Sequence, residues 1–132
     1  MNNVIRPAEL RRIERGVALL DFVDPKWYRK IDPAKFDLED GSMCVLGHVY
    51  GDYFGALREM ADNVVTAAVQ KLKFTEQPNV NEIGGRLDGR HYGFETSGNA
   101  SYERMGQTWL AIVRQRKAAA KRAAARRSAA RG

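Results

Sequence analysis

The sequence contains a single cysteine, Cys44, and no apolar run of the roughly 18 residues that a membrane-spanning helix needs. One thiol cannot form an internal disulfide or build a cysteine-rich zinc finger. Residues 1–7 also lack the charged segment and the apolar segment of a secretory signal. We therefore expect no contact with a membrane, and a protein that stays in the reducing cytoplasm in which it is made.

Sequence motifs typical of enzymes are missing as well, among them phosphate-binding loops, dinucleotide-binding glycine patterns and zinc-protease motifs. Cys44, His48 and Asp52 are spaced by four residues, which places them on one face of a helix. They could form a metal site or a thiol–imidazole pair, with His91 as a distant fourth ligand. We favour a structural interpretation, with Cys44 buried, His48 capping or on the surface and Asp52 solvated. We thus predict no enzyme, no catalytic residue, no metal and no cofactor.

The positive charge of the chain is concentrated at one end. Its 132 residues include 22 basic and 16 acidic ones, and 44% of the residues are hydrophobic, which is enough for one packed domain. Residues 114–132 contain no acid and hold eight cations, namely Arg114, Arg116, Lys117, Lys121, Arg122, Arg126, Arg127 and Arg131. The other 14 basic residues and all 16 acids lie in 1–113, a net charge of −2. This pattern predicts a nearly neutral globular domain, 1–113, followed by a basic tail, 114–132.

Apolar spacing predicts helices in the first half of the chain. Leu10, Ile13, Val17 and Leu20 form a stripe over 7–23, with Pro7 in the first turn and Asp24-Pro25 at the end. A short turn or helix follows at 27–31. A further helix is predicted over 42–60, with Ser42 or Asp40 as its N-cap.

Three glycines recur at four-residue spacing in the helix predicted over 42–60: Gly47, Gly51 and Gly55. Each weakens a helix by about 1 kcal/mol relative to alanine. They indicate a groove where another helix comes close, a break near Gly51, or a chance arrangement.

The second half alternates between helix and loop. Another helix is predicted over 62–73, and the glycine-rich stretch 75–99 is predicted as a long loop, in which 86–92 forms either a short β-hairpin or a plain loop. A last helix begins near Asn99 or Ser101, has Tyr102, Met105, Trp109, Ile112 and Val113 on its apolar face, and continues past residue 125. The predicted fold is mainly α, about four helices with a basic helical extension.

The tail determines the predicted function. Its cations point to every side of a helix and its alanines are scattered, so it has no apolar stripe for docking on the body and no large apolar residue for a lipid surface. Such a helix suits the phosphate backbone of DNA or RNA, bound without sequence specificity. The alternatives are a solvated helix that binds nothing, and a non-enzymatic module that binds a host or virion protein through the tail or an exposed patch of Trp27 and Tyr28.

Several segments carry a resemblance: 16–21 (GVALLD), 25–32 (PKWYRKID), Leu38, 44–47 (CVLG) and 50–53 (YGDY), and more loosely 92–94 (YGF) and Trp109. They resemble a family of small uncharacterised proteins encoded by actinobacteriophages and their hosts. The resemblance covers about 10–60 and 90–113, and it leaves out the tail. It implies a phage-type protein acting in the cytoplasm of a bacterial host cell, and it implies no activity or catalytic residue.

Overall fold

Helices make up most of the part of the chain that the computed structural model describes, which is 4–41, 43–51, 55–56, 59, 80–81, 86–87 and 89–131. Three α-helices have bounds within it: α1 (Pro7–Val23), α2 (Val45–Tyr50) and α3 (Asn99–Arg131). A 3₁₀ helix spans Trp27–Lys30, and two short strands, β1 (Val80–Asn81) and β2 (Arg86–Leu87), pair antiparallel. The prediction of a mainly α fold with a long C-terminal helix is confirmed.

Helix α1 has the predicted ends but a different buried face. Its buried residues are Glu9, Ile13, Gly16, Leu19 and Leu20, whereas Leu10 and Val17 of the predicted stripe are only half-buried. The difference arises at Gly16, where an added Cβ would lie 2.1 Å from the backbone oxygen of Tyr92. The missing side chain lets the 92–93 segment come against the helix, which turns that side of α1 inward.

Helix α2 is shorter than predicted because the helical conformation ends at Gly51. Gly51 has a φ of 88°, a left-handed conformation that ends the helix and favours glycine. Gly55, beyond the break, is again helical. Of the three explanations for the glycine spacing, the structure supports the break, since Gly47 and Gly55 do not share one continuous helix. Helix α2 begins at Val45, and its N-cap is Cys44 rather than Ser42 or Asp40.

The hairpin predicted within 86–92 is not the one that forms, because β2 pairs with β1 rather than with residues that follow it. Val80 pairs with Leu87 and Asn81 with Arg86, so β2 pairs with residues that precede it. The chain from Gly89 to Gly93 forms turns instead of a returning strand, and the amide of Phe94 donates to the carbonyl of Gly89 at 2.9 Å. The helix predicted over 62–73 lies outside the described residues.

Helix α3 contributes the centre of the core through Trp109. The Trp109 ring stacks on Phe94 at a centroid distance of 5.7 Å and meets the edge of Trp27 at 5.8 Å. Its indole N–H donates to the carbonyl oxygen of Gly93 at 2.8 Å. With 33 residues α3 is about 50 Å long. No helix within the described ranges is both long and apolar enough to cross a membrane.

Candidate nucleic-acid interface

The basic residues 114–131 belong to the same continuous helix as the core residues Met105, Trp109 and Val113. Val113 is the last fully buried residue of α3, and every residue from 124 to 131 is exposed. Because the helix is not interrupted, packing of its first half fixes the direction of its basic second half.

One carboxylate of the body anchors the start of the basic segment. Arg116 donates from both terminal nitrogens to Asp21, at 2.9 Å to each oxygen, and both side chains are 37% exposed. These hydrogen bonds raise the pKa of Arg116 above its usual value. Asp21 Oδ1 also accepts from the indole N–H of Trp27 at 2.9 Å. Asp21 thus joins α1, the 3₁₀ helix and α3 at the point where the core ends.

The other seven predicted cations form no ion pair with any described residue. Lys117 is half-buried, and the remaining six are exposed: Arg114, Lys121, Arg122, Arg126, Arg127 and Arg131. Glu103 is the last acid of the sequence, so no carboxylate on the rest of α3 offsets their charge. Within the described part of the chain, Arg116 is therefore the one of the eight candidate residues whose charge a carboxylate of the body neutralises.

The prediction that the tail has no face toward the body requires a correction. Ala120 and Ala123 are half-buried, as is Arg116, and the three continue the line of Trp109 and Val113 along the helix. Alanine gives a weak periodic pattern because its side chain is small, which explains why the sequence pattern missed this stripe. The consequence is that the tail has a body-facing side and an outward side.

The predicted Trp27 and Tyr28 surface patch is wrong for Trp27. Its side chain is 0% exposed, covered by Trp109 and by the hydrogen bond to Asp21, whereas Tyr28 is half-buried. A protein partner therefore cannot use the Trp27 ring as a surface anchor.

A buried polar cluster at the other end of α3 was not predicted. The Glu9 carboxylate, 3% exposed, accepts two hydrogen bonds from Arg104, at 3.0 and 2.9 Å, and one from Ser101 at 2.6 Å. The hydrogen bonds from Arg104 lower the pKa of Glu9 to about 2. This cluster joins the first turns of α1 and α3, and with Asp21–Arg116 it holds both ends of the buried part of α3.

The candidate metal residues have local structural roles where the structure describes them. The Cys44 sulfur accepts from the amide of Gly47 at 3.3 Å, and a ring nitrogen of His48 lies 3.1 Å from the Cys44 carbonyl oxygen. Asp52 lies outside the described residues. Among those described, no group of three His, Cys, Asp or Glu side chains is placed to hold a metal ion.

Burial of Cys44 has a testable consequence. Its side chain is 1% exposed, and burial raises the pKa of the thiol, which lowers the reactive thiolate fraction. We expect a disulfide reagent such as DTNB to modify the folded protein about 100-fold or more slowly than the urea-unfolded chain. Equal rates in the two states would show that the thiol is accessible.

No family model, no curated protein and no solved structure matches this chain. Sequence patterns found the basic residues by their density, whereas they missed Asp21 and Glu9, whose arginine partners lie 95 residues away in each case. Residue spacing along one helix carries no information about a contact at that separation.

Proposed function

We propose that this protein binds nucleic acid through the phosphate backbone, without sequence specificity and without catalysis, using the cations of α3 beyond Val113. One observation carries the proposal: seven cations on a single helix have no carboxylate partner among the described residues, while the eighth holds that helix to the body. An anchored cationic helix supplies both charge and a fixed orientation to a polyanion.

Repulsion among the cations of α3 supports the same function. Seven unpaired cations on one helix repel each other, and a polyanion relieves that repulsion while releasing its condensed counterions. Side chains that contact phosphates carry no base information, which fits a helix whose residues beyond Val113 are mostly Ala, Arg and Lys. The resemblance to actinobacteriophage proteins, carried mainly by 10–60, makes the cytoplasm of a bacterial host the expected place of action.

The test measures how the affinity for a short nucleic-acid duplex depends on salt. With seven cations available, we expect log Kd to change with log salt by a slope of about 4 to 6. Raising the salt from about 0.05 M to about 0.2 M then weakens binding by roughly 10³-fold. Fluorescence anisotropy of a labelled duplex of arbitrary sequence gives the slope.

Two variants with the same charge loss separate the tail from the body. The tail variant replaces the exposed cations Arg114, Lys121, Arg122 and Arg126 with Gln, which keeps helix propensity and leaves Arg116 in place. The control replaces four exposed cations of the body with Gln: Arg11, Lys26, Arg29 and Lys35. We expect the tail variant to have a salt slope smaller by about 3 to 4, and the control to have a salt slope smaller by less than about 1.

Equal losses in both variants would overturn the assignment to the tail, and a slope near zero in the unmodified protein would overturn phosphate binding itself. In that case the alternative, a host or virion protein partner, becomes the better explanation. A partner that remains bound after nuclease treatment of a host lysate would identify it.

A further inference from the structure

The outward side of α3 carries cations along two lines rather than one. Placing residues at about 100° intervals, with Trp109 at zero, puts the body-facing stripe within about 40° of zero. Outside that stripe, a first line at roughly 80° to 140° consists of Arg114, Lys117 and Lys121, of which Lys117 is half-buried and the other two are exposed. A second line at roughly 220° to 260° consists of Arg122 and Arg126. We call these the first ridge and the second ridge.

The two ridges lie on either side of the direction that faces away from the body. That direction is near 180°, and the ridges lie up to about 100° to either side of it. Lys121 and Arg122 are about 60° and 40° from this direction, and Lys117 and Arg126 are about 100° and 80° from it. Ala118 and Ala125 lie between the ridges and are exposed, so no long side chain there holds a ligand away from the helix.

From these positions, and building on the proposed phosphate binding, we propose that the ligand is duplex DNA, with the outward side of α3 lying in the major groove. The B-form major groove is about 12 Å wide, and an α-helix with its side chains is about 10 to 12 Å across. The first ridge then reaches the phosphates of one strand and the second ridge those of the other. Arg127 and Arg131 lie near the body-facing side and point away from the groove.

Other polyanions do not use this arrangement. The major groove of A-form RNA is too narrow and deep for a helix, so a duplex RNA would contact one ridge at a time. Single strands are bound through stacking on aromatic rings, and 114–131 contains none. An anionic lipid surface is flat and cannot contact two ridges on opposite sides of a helix together. The two-sided charge therefore fits two phosphate strands that are separated by the width of one helix.

The experiment compares three paired substitutions in the full chain, each removing two cations of α3. Lys117→Gln with Lys121→Gln removes most of the first ridge, Arg122→Gln with Arg126→Gln removes the second, and Arg127→Gln with Arg131→Gln is the control. On a DNA duplex we expect each ridge variant to reduce the salt slope by about 2 and the control by less than about 1. Circular dichroism checks that helix content is unchanged.

Ligand form and groove access complete the test. We expect tighter binding to duplex DNA than to duplex RNA or single-stranded DNA of equal length, and displacement from DNA by the major-groove ligand methyl green but not by the minor-groove ligand netropsin. Three outcomes would overturn the groove assignment and leave phosphate binding intact. They are equal binding to the three nucleic acids, a loss of slope in the control equal to that in the ridge variants, and displacement by netropsin alone. Absence of binding to all three would overturn both.

Discussion

Replacing Gly16 and Gly106 by alanine is expected to change the stability of the protein in opposite directions. Both glycines lie inside helices, where alanine is intrinsically favoured by about 1 kcal/mol. At Gly16 an added Cβ would meet the Tyr92 carbonyl oxygen at 2.1 Å and the Trp109 ring at 3.0 Å. At Gly106 it would meet Leu38 at 3.6 Å, an ordinary contact distance.

The clash at Gly16 cannot be relieved by a side-chain rotation alone, because the nearest atom belongs to the backbone. Moving the 92–93 segment away also disturbs the Trp109 hydrogen bond to Gly93. Gly93 itself has a φ of 72°, and a Cβ there would lie 2.8 Å from the backbone of Ile13, so the segment also packs against α1 at Ile13 and would lose that contact by moving away. We therefore expect Gly16→Ala to lower the free energy of unfolding by about 3 kcal/mol despite the gain in helix propensity.

Urea unfolding followed by far-ultraviolet circular dichroism measures both variants under one condition. Gly106→Ala is the matched control, with the same atoms added in a helix interior, and we expect it to raise the free energy of unfolding by up to about 1 kcal/mol. A neutral or stabilising effect of Gly16→Ala would contradict the close approach of α1 to the 92–93 segment.

The same two helices show what the sequence could and could not predict. The bounds of α1 followed from Pro7 and Asp24-Pro25, and the continuation of α3 past residue 125 followed from its Ala, Lys and Arg content. Ile13 and Leu20 of the predicted stripe are buried, but the burial of Gly16 and Glu9 did not follow, because hydrophobic spacing assigns no burial to glycine and assigns exposure to glutamate. Both residues are buried by groups that belong to other parts of the chain. The backbone of Tyr92 covers Gly16, and the guanidinium of Arg104 covers Glu9.

The candidate site divides in the same way. The density of cations in 114–131 predicted eight basic residues as a candidate site, and seven of them form no ion pair within the described part of the chain. The exception, Arg116, was not predicted because its partner Asp21 is on another helix. The two ridges could not be assigned from the sequence, because their definition requires the side of α3 that faces the body. The half-buried Ala120 and Ala123 show that side.

The buried cluster around Glu9 should make stability depend on acid pH. Glu9 accepts hydrogen bonds from Arg104 and Ser101, and also from the backbone N–H of Arg6 at 3.0 Å. Ser101 donates its one hydroxyl hydrogen to Glu9. The Thr96 hydroxyl, whose oxygen lies 2.9 Å from that of Ser101, therefore donates to Ser101. Arg6, Ser101 and Arg104 thus all donate to the ionised form of Glu9, and Thr96 holds the Ser101 hydroxyl in place.

Glu9→Gln removes the negative charge but keeps the size of the side chain. The Arg104 guanidinium then remains buried without its counter-charge, and the amide cannot accept all the hydrogen bonds that the carboxylate accepts. We expect a loss of about 2 to 3 kcal/mol in the free energy of unfolding near neutral pH. Glu14→Gln, an exposed glutamate on the same helix, is the control and should cost less than about 0.5 kcal/mol.

The pH dependence distinguishes this charge effect from a packing defect. The pKa of Glu9 falls from 4.5 to about 2 in the folded protein, so its ionised form stabilises the fold fully above about pH 5. That stabilisation is lost as the pH falls from about 4.5 through about 2, where the folded protein also takes up the proton. Urea unfolding at about pH 7, 4 and 3 should therefore show the difference between the unmodified protein and Glu9→Gln shrinking toward acid. A difference that stays constant over this range would mean that Glu9 stabilises the protein through its shape rather than its charge.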